Sequence, residues 1–259
     1  MKPTLPCLII ALTACGTSTS TPARYPGAPP TFDRAAADPK ALAIADKAFA
    51  AAGGPNWDHT KQLRWHETVM QADKVARDGE EAWDRVNARH YGRLAQPGGD
   101  VVVGYELYGS HAIGYMQHGD KHMNLDADSR AHAIAVARAA FETDTALLTL
   151  PFLMLEPGTK LAYVGPAGDD DELAVTFGDP ARTDELHVFV ARATSLISRV
   201  EIVKPGTPQR TGYALDGWTD VGGMKFATTR KDLGDPSVTT TIKDLAISEP
   251  TDSLFIAPL

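Results

Sequence analysis

Apolar side chains recur at every second position through most of this chain, and two stretches break that rhythm with helical spacing. The first covers residues 40–52, where Leu42, Ile44, Ala45, Ala48 and Phe49 share a thin apolar stripe. Asp38 is placed to cap it, Pro39 sits in its first turn, and Gly53-Gly54-Pro55 stops it. Trp57 follows and is positioned to pin that end to the core. The second stretch, residues 126–158, begins as an alanine-rich helix over 131–143 that either Asp126 or Asp128 can cap. Ile134, Ala137, Phe141 and Leu148 fall on one face, with Leu147 beside them. Leu150-Pro151 predicts the end of the regular helix, because a residue before proline is pushed out of the helical region. Phe152, Leu153, Met154 and Leu155 then continue the most apolar passage of the mature chain up to the turn Glu156-Pro157-Gly158.

Period-two segments fill the rest. Residues 62–72 place Leu63 and Trp65 on one side; residues 81–91 read as a strand, 100–108 as a firmer one and 113–118 as a short one, with Gly119-Asp120 as a turn. After the central stretch comes an antiparallel meander: 160–164, 172–177, 185–190, 196–203, 210–218, 224–231 and 238–247. Leu173, Val175 and Phe177 point one way, as do Leu186, Val188 and Val190. Roughly eight to eleven strands with one polar face make a sheet wetted on one side, whose apolar side must be covered. The two helices are the available covers, so the fold class is mainly β with α.

Composition narrows the setting. The formal charge of −8, with no block of Lys or Arg, argues against nucleic acid and against an anionic membrane surface as partners. Residues 1–14 open with Lys2 and a short apolar run, far below the roughly 18 residues of a membrane-spanning helix, and read as a secretion signal. Residues 15–33 are rich in Ser, Thr, Pro and Gly and form a tether. Residues 34–259 are left as one domain, expected to be monomeric. The two cysteines are Cys7, inside the signal, and Cys15, so the mature chain holds one cysteine and no internal disulfide or cysteine metal cluster.

Leu12-Thr13-Ala14-Cys15 resembles the lipobox of bacterial lipoproteins. That resemblance implies cleavage before Cys15, acylation of Cys15, and anchoring to the membrane through it. Gly16, which is not the Asp that retains such proteins at the inner membrane, implies the periplasmic face of the outer membrane. Beyond the lipobox, the order of Ala52-Gly53-Gly54-Pro55-Asn56-Trp57, Leu150-Pro151-Phe152-Leu153-Met154-Leu155-Glu156-Pro157-Gly158, Tyr163-Val164-Gly165, Leu186 to Thr194, and Gly222-Gly223-Met224-Lys225-Phe226 resembles the bacterial lipoprotein carrier and receptor superfamily (LolA/LolB-like). The resemblance spans most of residues 40–256. It implies an unclosed antiparallel β-barrel, that is a concave sheet, with an N-terminal helix and a central helical lid over an apolar cavity. A match to the receptor's exposed lipoprotein-transfer loop is absent.

Catalytic chemistry finds little footing. His66-Glu67 lacks the second histidine of a zinc-protease helix, and Ser110 and Ser129 have no nucleophile-elbow context. His118, Asp120 and His122, with His111, form the one arrangement that a zinc ion could join, against the plainer reading of a solvated turn. No cofactor and no catalytic residue is therefore assigned. Trp57, Trp65, Trp83 and Trp218 either fill the core or line a cavity. Leu147, Leu148, Leu150, Phe152, Leu153 and Leu155 carry more apolar surface than one helix face needs, at about 1.5–3 kcal/mol per fully buried side chain. With Phe141 and Trp65 they are the expected wall of a cavity for a hydrophobic ligand, such as an acyl chain or a lipoprotein's lipid moiety. The alternatives are a structural or interaction lipoprotein with a filled core and a metal-dependent enzyme.

Overall fold

The structure, a computed structural model, describes residues 22–207 and 210–258. The expected signal segment, Cys15 and the first part of the tether lie outside the described residues. Thirteen strands form one antiparallel sheet in the spatial order β6-β5-β4-β3-β2-β1-β13-β12-β11-β10-β9-β8-β7. One arm is β1 (Gln62–Gln71), β2 (Lys74–Asp84), β3 (Arg89–Leu94), β4 (Asp100–Glu106), β5 (Ala112–His118) and β6 (Lys121–Asn124). The other is β7 (Lys160–Ala167), β8 (Asp170–Thr176), β9 (Glu185–Ala191), β10 (Ile197–Val203), β11 (Arg210–Val221), β12 (Met224–Asp232) and β13 (Val238–Ser248). Each arm is a meander; pairing of β1 with β13 joins them, and β6 and β7 are left as separate edges. The sheet is therefore not closed into a barrel, as expected, and its concave side is filled by the N-terminal helix α1 (Pro39–Ala51) and the central helix α2 (Ala127–Leu153).

Asp38 caps α1 by accepting from the backbone N–H groups of Lys40 and Ala41. The face that α1 buries is the small-residue stripe Ala41, Ala45 and Ala48, flanked by Ile44 and Phe49, rather than one centred on Leu42. Small side chains let the helix axis approach its neighbours closely. Its end docks on the β11–β12 hairpin: Gly53 stands at φ +79°, and a Cβ there would lie 2.0 Å from the carbonyl oxygen of Gly223. Lys225 N–H donates to Ala52 O at 2.9 Å, so the two glycine pairs singled out in the sequence meet in space.

The central helix runs three residues past its expected break. Pro151 lies inside α2, so close to the C-terminal end that it forfeits one backbone bond in a turn packed on all sides by the core. A second correction concerns residues 81–91. They are two strands, β2 and β3, separated by a turn in which the Asp84 carboxylate accepts from Val86 and Asn87 N–H and Ala88 takes φ +49°. The first half of β2 and all of β6 escaped the period-two pattern, because neither buries an apolar face; Val75 and Met123 are themselves exposed.

Two core clusters lie on the concave side. One joins α1, Leu147, Leu150 and Met154 of α2 to Leu173, Val175, Leu186, Val188, Val200 and Ala227. The other joins Phe141, Leu148, Phe152 and Leu153 to Trp57, Leu63, Trp65, Phe226 and Ile242. A third, on the convex face of the first arm, is closed by the C-terminal 3-10 turn Asp252–Phe255, with Phe255 against Tyr91, Val102 and Ile113.

Candidate functional site

Two charged constellations surround α2. The first lies at its middle. Asp144 faces Arg230 at 2.8 Å and Arg77 at 2.7 Å, while Glu67 faces Arg230 at 2.9 Å and also pairs with Arg77. Each charge meets two of opposite sign, and all but Arg77 are fully buried. Glu67 shares the alternating face of Leu63 and Trp65, Arg77 sits beside it on the paired strand, and Arg230 comes from β12. The network thus pins the helix to both arms of the sheet.

The second constellation lies where α2 ends. A half-open cleft of about 530 Å³ is walled by the end of β2 and the turn after it (Trp83, Arg85), Tyr108, the end of α2 and the following turn (Leu153, Glu156, Pro157), and the β8–β9 loop (Phe177, Asp179, Arg182). Residues from the end of the tether, Pro22 to Ala28, run along its rim. Tyr25 sets its hydroxyl in a notch that exists because residues 158 and 178 are glycine; a Cβ at either would approach that oxygen to 2.2 or 2.4 Å. Ala23 N–H donates to Arg85 O at 2.7 Å. Across the cleft the Tyr108 hydroxyl donates to Asp179 at 3.1 Å, bridging the two arms of the sheet.

The two arginines of the cleft differ in what they meet. The Arg85 guanidinium lies on the Trp57 ring at 3.6 Å, donates to Trp57 O at 2.6 Å and to Thr60 O at 2.8 Å, and approaches Glu156 at 3.5 Å. Burial pulls its pKa down to about 10 against the opposing pull of Glu156 and Asp58. Arg182 donates through Nη2 to Thr145 Oγ1 at 3.4 Å, yet its buried Nη1 has no hydrogen-bond partner. Among the described residues no carboxylate stands at ion-pair distance from it. Burial lowers its pKa, whereas it raises that of Glu142 nearby.

No protein-family model matches the chain, and no curated protein matches it by sequence. Among solved structures it is similar to a DUF1329 family protein from Desulfovibrio piger, at 12% identity over 83% of this chain and 97% of that one, with a TM-score of 0.49. A LolA superfamily protein from Nitrosomonas europaea is similar at 11% identity over 84% and 97%, with a TM-score of 0.49. A third, a putative outer membrane lipoprotein-sorting protein domain from Vibrio parahaemolyticus, shares 11% identity over 84% and 96%, with a TM-score of 0.47. The superfamily that the sequence resembles is thus among these neighbours.

Of the residues expected to wall a cavity, Leu153 faces the cleft. Phe152 lies behind it, stacked on Trp57 with ring centroids 4.6 Å apart. Phe141, Leu148 and Trp65 pack in one core cluster, Leu147 and Leu150 in the other, and Leu155 is half-buried against the latter. Trp83 is the one tryptophan on the cleft wall. The arrangement around His118 does not converge: Gln117 pairs with His122 and His118 with Lys121, so the pleat sends His118 and His122 to opposite faces. His122 instead lies near the Tyr115 ring, and His111 reaches Phe255 O at 3.4 Å. Arg85, Glu156 and Arg182, which no motif in the sequence marks, are among the polar groups that the fold brings to the cleft, with Asp58, His59, Lys61 and Asp179.

Proposed function

We propose that this chain is a lipid-anchored periplasmic domain that binds a hydrophobic ligand, an acyl chain or a lipoprotein's lipid moiety, in the cleft at the end of α2. The observation that carries this reading is the cleft itself: about 530 Å³, walled by Trp83, Tyr108, Leu153, Pro157 and Phe177, within the size range of small-molecule sites. Mechanism here is sequestration, with each methylene withdrawn from water contributing about 0.8 kcal/mol. Pro22 lies on the rim, and Cys15 is seven residues upstream. At full extension that link reaches about 25 Å, so an anchor at Cys15 would keep the cleft near the lipid surface. In this reading Leu153, backed by Phe152, forms the apolar floor. Phe141, Leu147, Leu148, Leu150, Leu155 and Trp65 would join the wall only if α2 shifted as a lid.

Native mass spectrometry of the polypeptide from Gly16 onward, purified without detergent, tests the proposal together with uptake of a fluorescent fatty acid. Retained lipid or saturable uptake is expected; neither would overturn it. A specific observation favours a second reading, a structural or interaction lipoprotein: Leu147, Leu148, Leu150 and Phe152 are almost wholly buried in close packing, and the network at Asp144 holds the helix down. Absence of ligand with an unchanged fold would select it.

A further inference from the structure

The cleft combines an apolar wall with a cation, Arg182, whose buried nitrogen has no partner among the described residues, and those two features together identify its ligand's chemistry more closely. A buried guanidinium without an anion is costly, and proteins compensate such groups with a partner charge. Arg182 has none at ion-pair distance among the described residues; the residue lines the cleft, and its Nη1, just beneath the surface, has no hydrogen-bond partner. Of the carboxylates whose charge reaches it, Glu142 makes no ion pair with it, and Glu156 and Asp179 are held by other groups. Glu156 accepts from Trp57 Nε1 at 3.0 Å and faces Arg85. Asp179 accepts from the Tyr108 hydroxyl and from Ala181 N–H at 3.0 Å. Arg85 spends its own donors on two backbone carbonyls. Beside Arg182 stand the Phe177 ring, 5.5 Å from the guanidinium, and then Leu153 and Trp83 along the wall.

We infer that the cleft takes a single-chain amphiphile with an anionic head, the head bound by the Arg182 guanidinium and the chain laid along Phe177, Leu153 and Trp83. A hydrogen bond from a charged donor to a charged head, made out of water, gives the anionic ligand its preference over a neutral one of equal chain length. The inference rests on the cleft being the ligand site, and the experiment separates the two claims. Calorimetric titration of the polypeptide from Gly16 onward compares decanoate, decyl phosphate and decanol, whose chains are alike. One or both anions should bind at least about tenfold more tightly than the alcohol. The tighter anion tells a carboxylate from a phosphate source. Arg182→Gln should lose that preference while keeping residual binding of all three, and Arg182→Lys should recover part of it. Equal binding of the three by the unaltered chain would overturn the anionic-head inference and leave an apolar cleft standing. Binding of none would overturn the cleft as a ligand site and this inference with it. The head-group series on the unaltered chain decides the matter even if a variant fails to fold.

Discussion

Arg230 and Arg182 both reach α2 from the second arm of the sheet, yet their surroundings are opposites. Arg230 meets Asp144 and Glu67 at 2.8 and 2.9 Å within a closed square of charges. Arg182 meets Thr145 through Nη2, and its Nη1 has no hydrogen-bond partner among the described residues. Paired buried charge fixes position, because any displacement exposes an uncompensated ion. Unpaired buried charge beside an open apolar wall does the reverse and favours whatever anion arrives. The middle of α2 is thus built to stay, and its end to receive.

This contrast can be broken by substitution. Arg230→Met strands Asp144 and Glu67 against a single cation and should cost about 3–5 kcal/mol in urea denaturation. Arg182→Met gives up one long hydrogen bond to Thr145 and no ion pair, so the ligand-free chain should lose much less stability; a loss as large as that of Arg230→Met would erase the distinction. Leu150→Ala, at a fully buried site beneath the helix, should cost about 2–5 kcal/mol, provided that the space there is filled. A negligible cost would mean that the helix covers a void. Gly158→Ala should cost about 1 kcal/mol or more, since residue 158 stands at φ +86° and a Cβ would displace the Tyr25 hydroxyl. Limited proteolysis should then cut residues 22–28 faster than in the unaltered chain.

The smallest effect comes from the helix caps. Hydrogen bonds to Ala41, Tyr163 and Lys40 N–H lower the pKa of Asp38, and bonds to Ser129 lower that of Asp126. Both folded values lie below the ordinary 3.8, so their stabilising contribution is complete above about pH 4 and is lost as pH falls through the folded values. Thermal melts should show a shallow decline below about pH 4, and Asp126→Ala should flatten it.

Much of the scaffold was legible in the sequence because it rests on periodicity. Leu173, Val175 and Leu186, Val188, Val190 alternate as their strands require, and the cap at Asp38 and the stop at Gly53 act where expected. Pro151 misled, because its local preference against helix is outweighed by packing around the last turn of α2. The 81–91 segment misled because its turn is made by the Asp84 carboxylate, with no Gly or Pro to mark the break. The cleft was the least legible part. Arg85, Glu156 and Arg182 lie in turns and loops, and only the folded chain brings them together. The paired network did leave a trace: Asp144 interrupts an apolar helix face, and Glu67 occupies an inward strand position.

The central claim is that an acyl chain enters the cleft at the end of α2 rather than a space beneath its middle. Photo-crosslinking with a diazirine-bearing fatty acid, mapped by peptide mass spectrometry, tests it directly. Label is predicted on segments 83–85, 153–159 and 177–182. Label confined to segment 141–150, or none above a neutral control, would contradict the account.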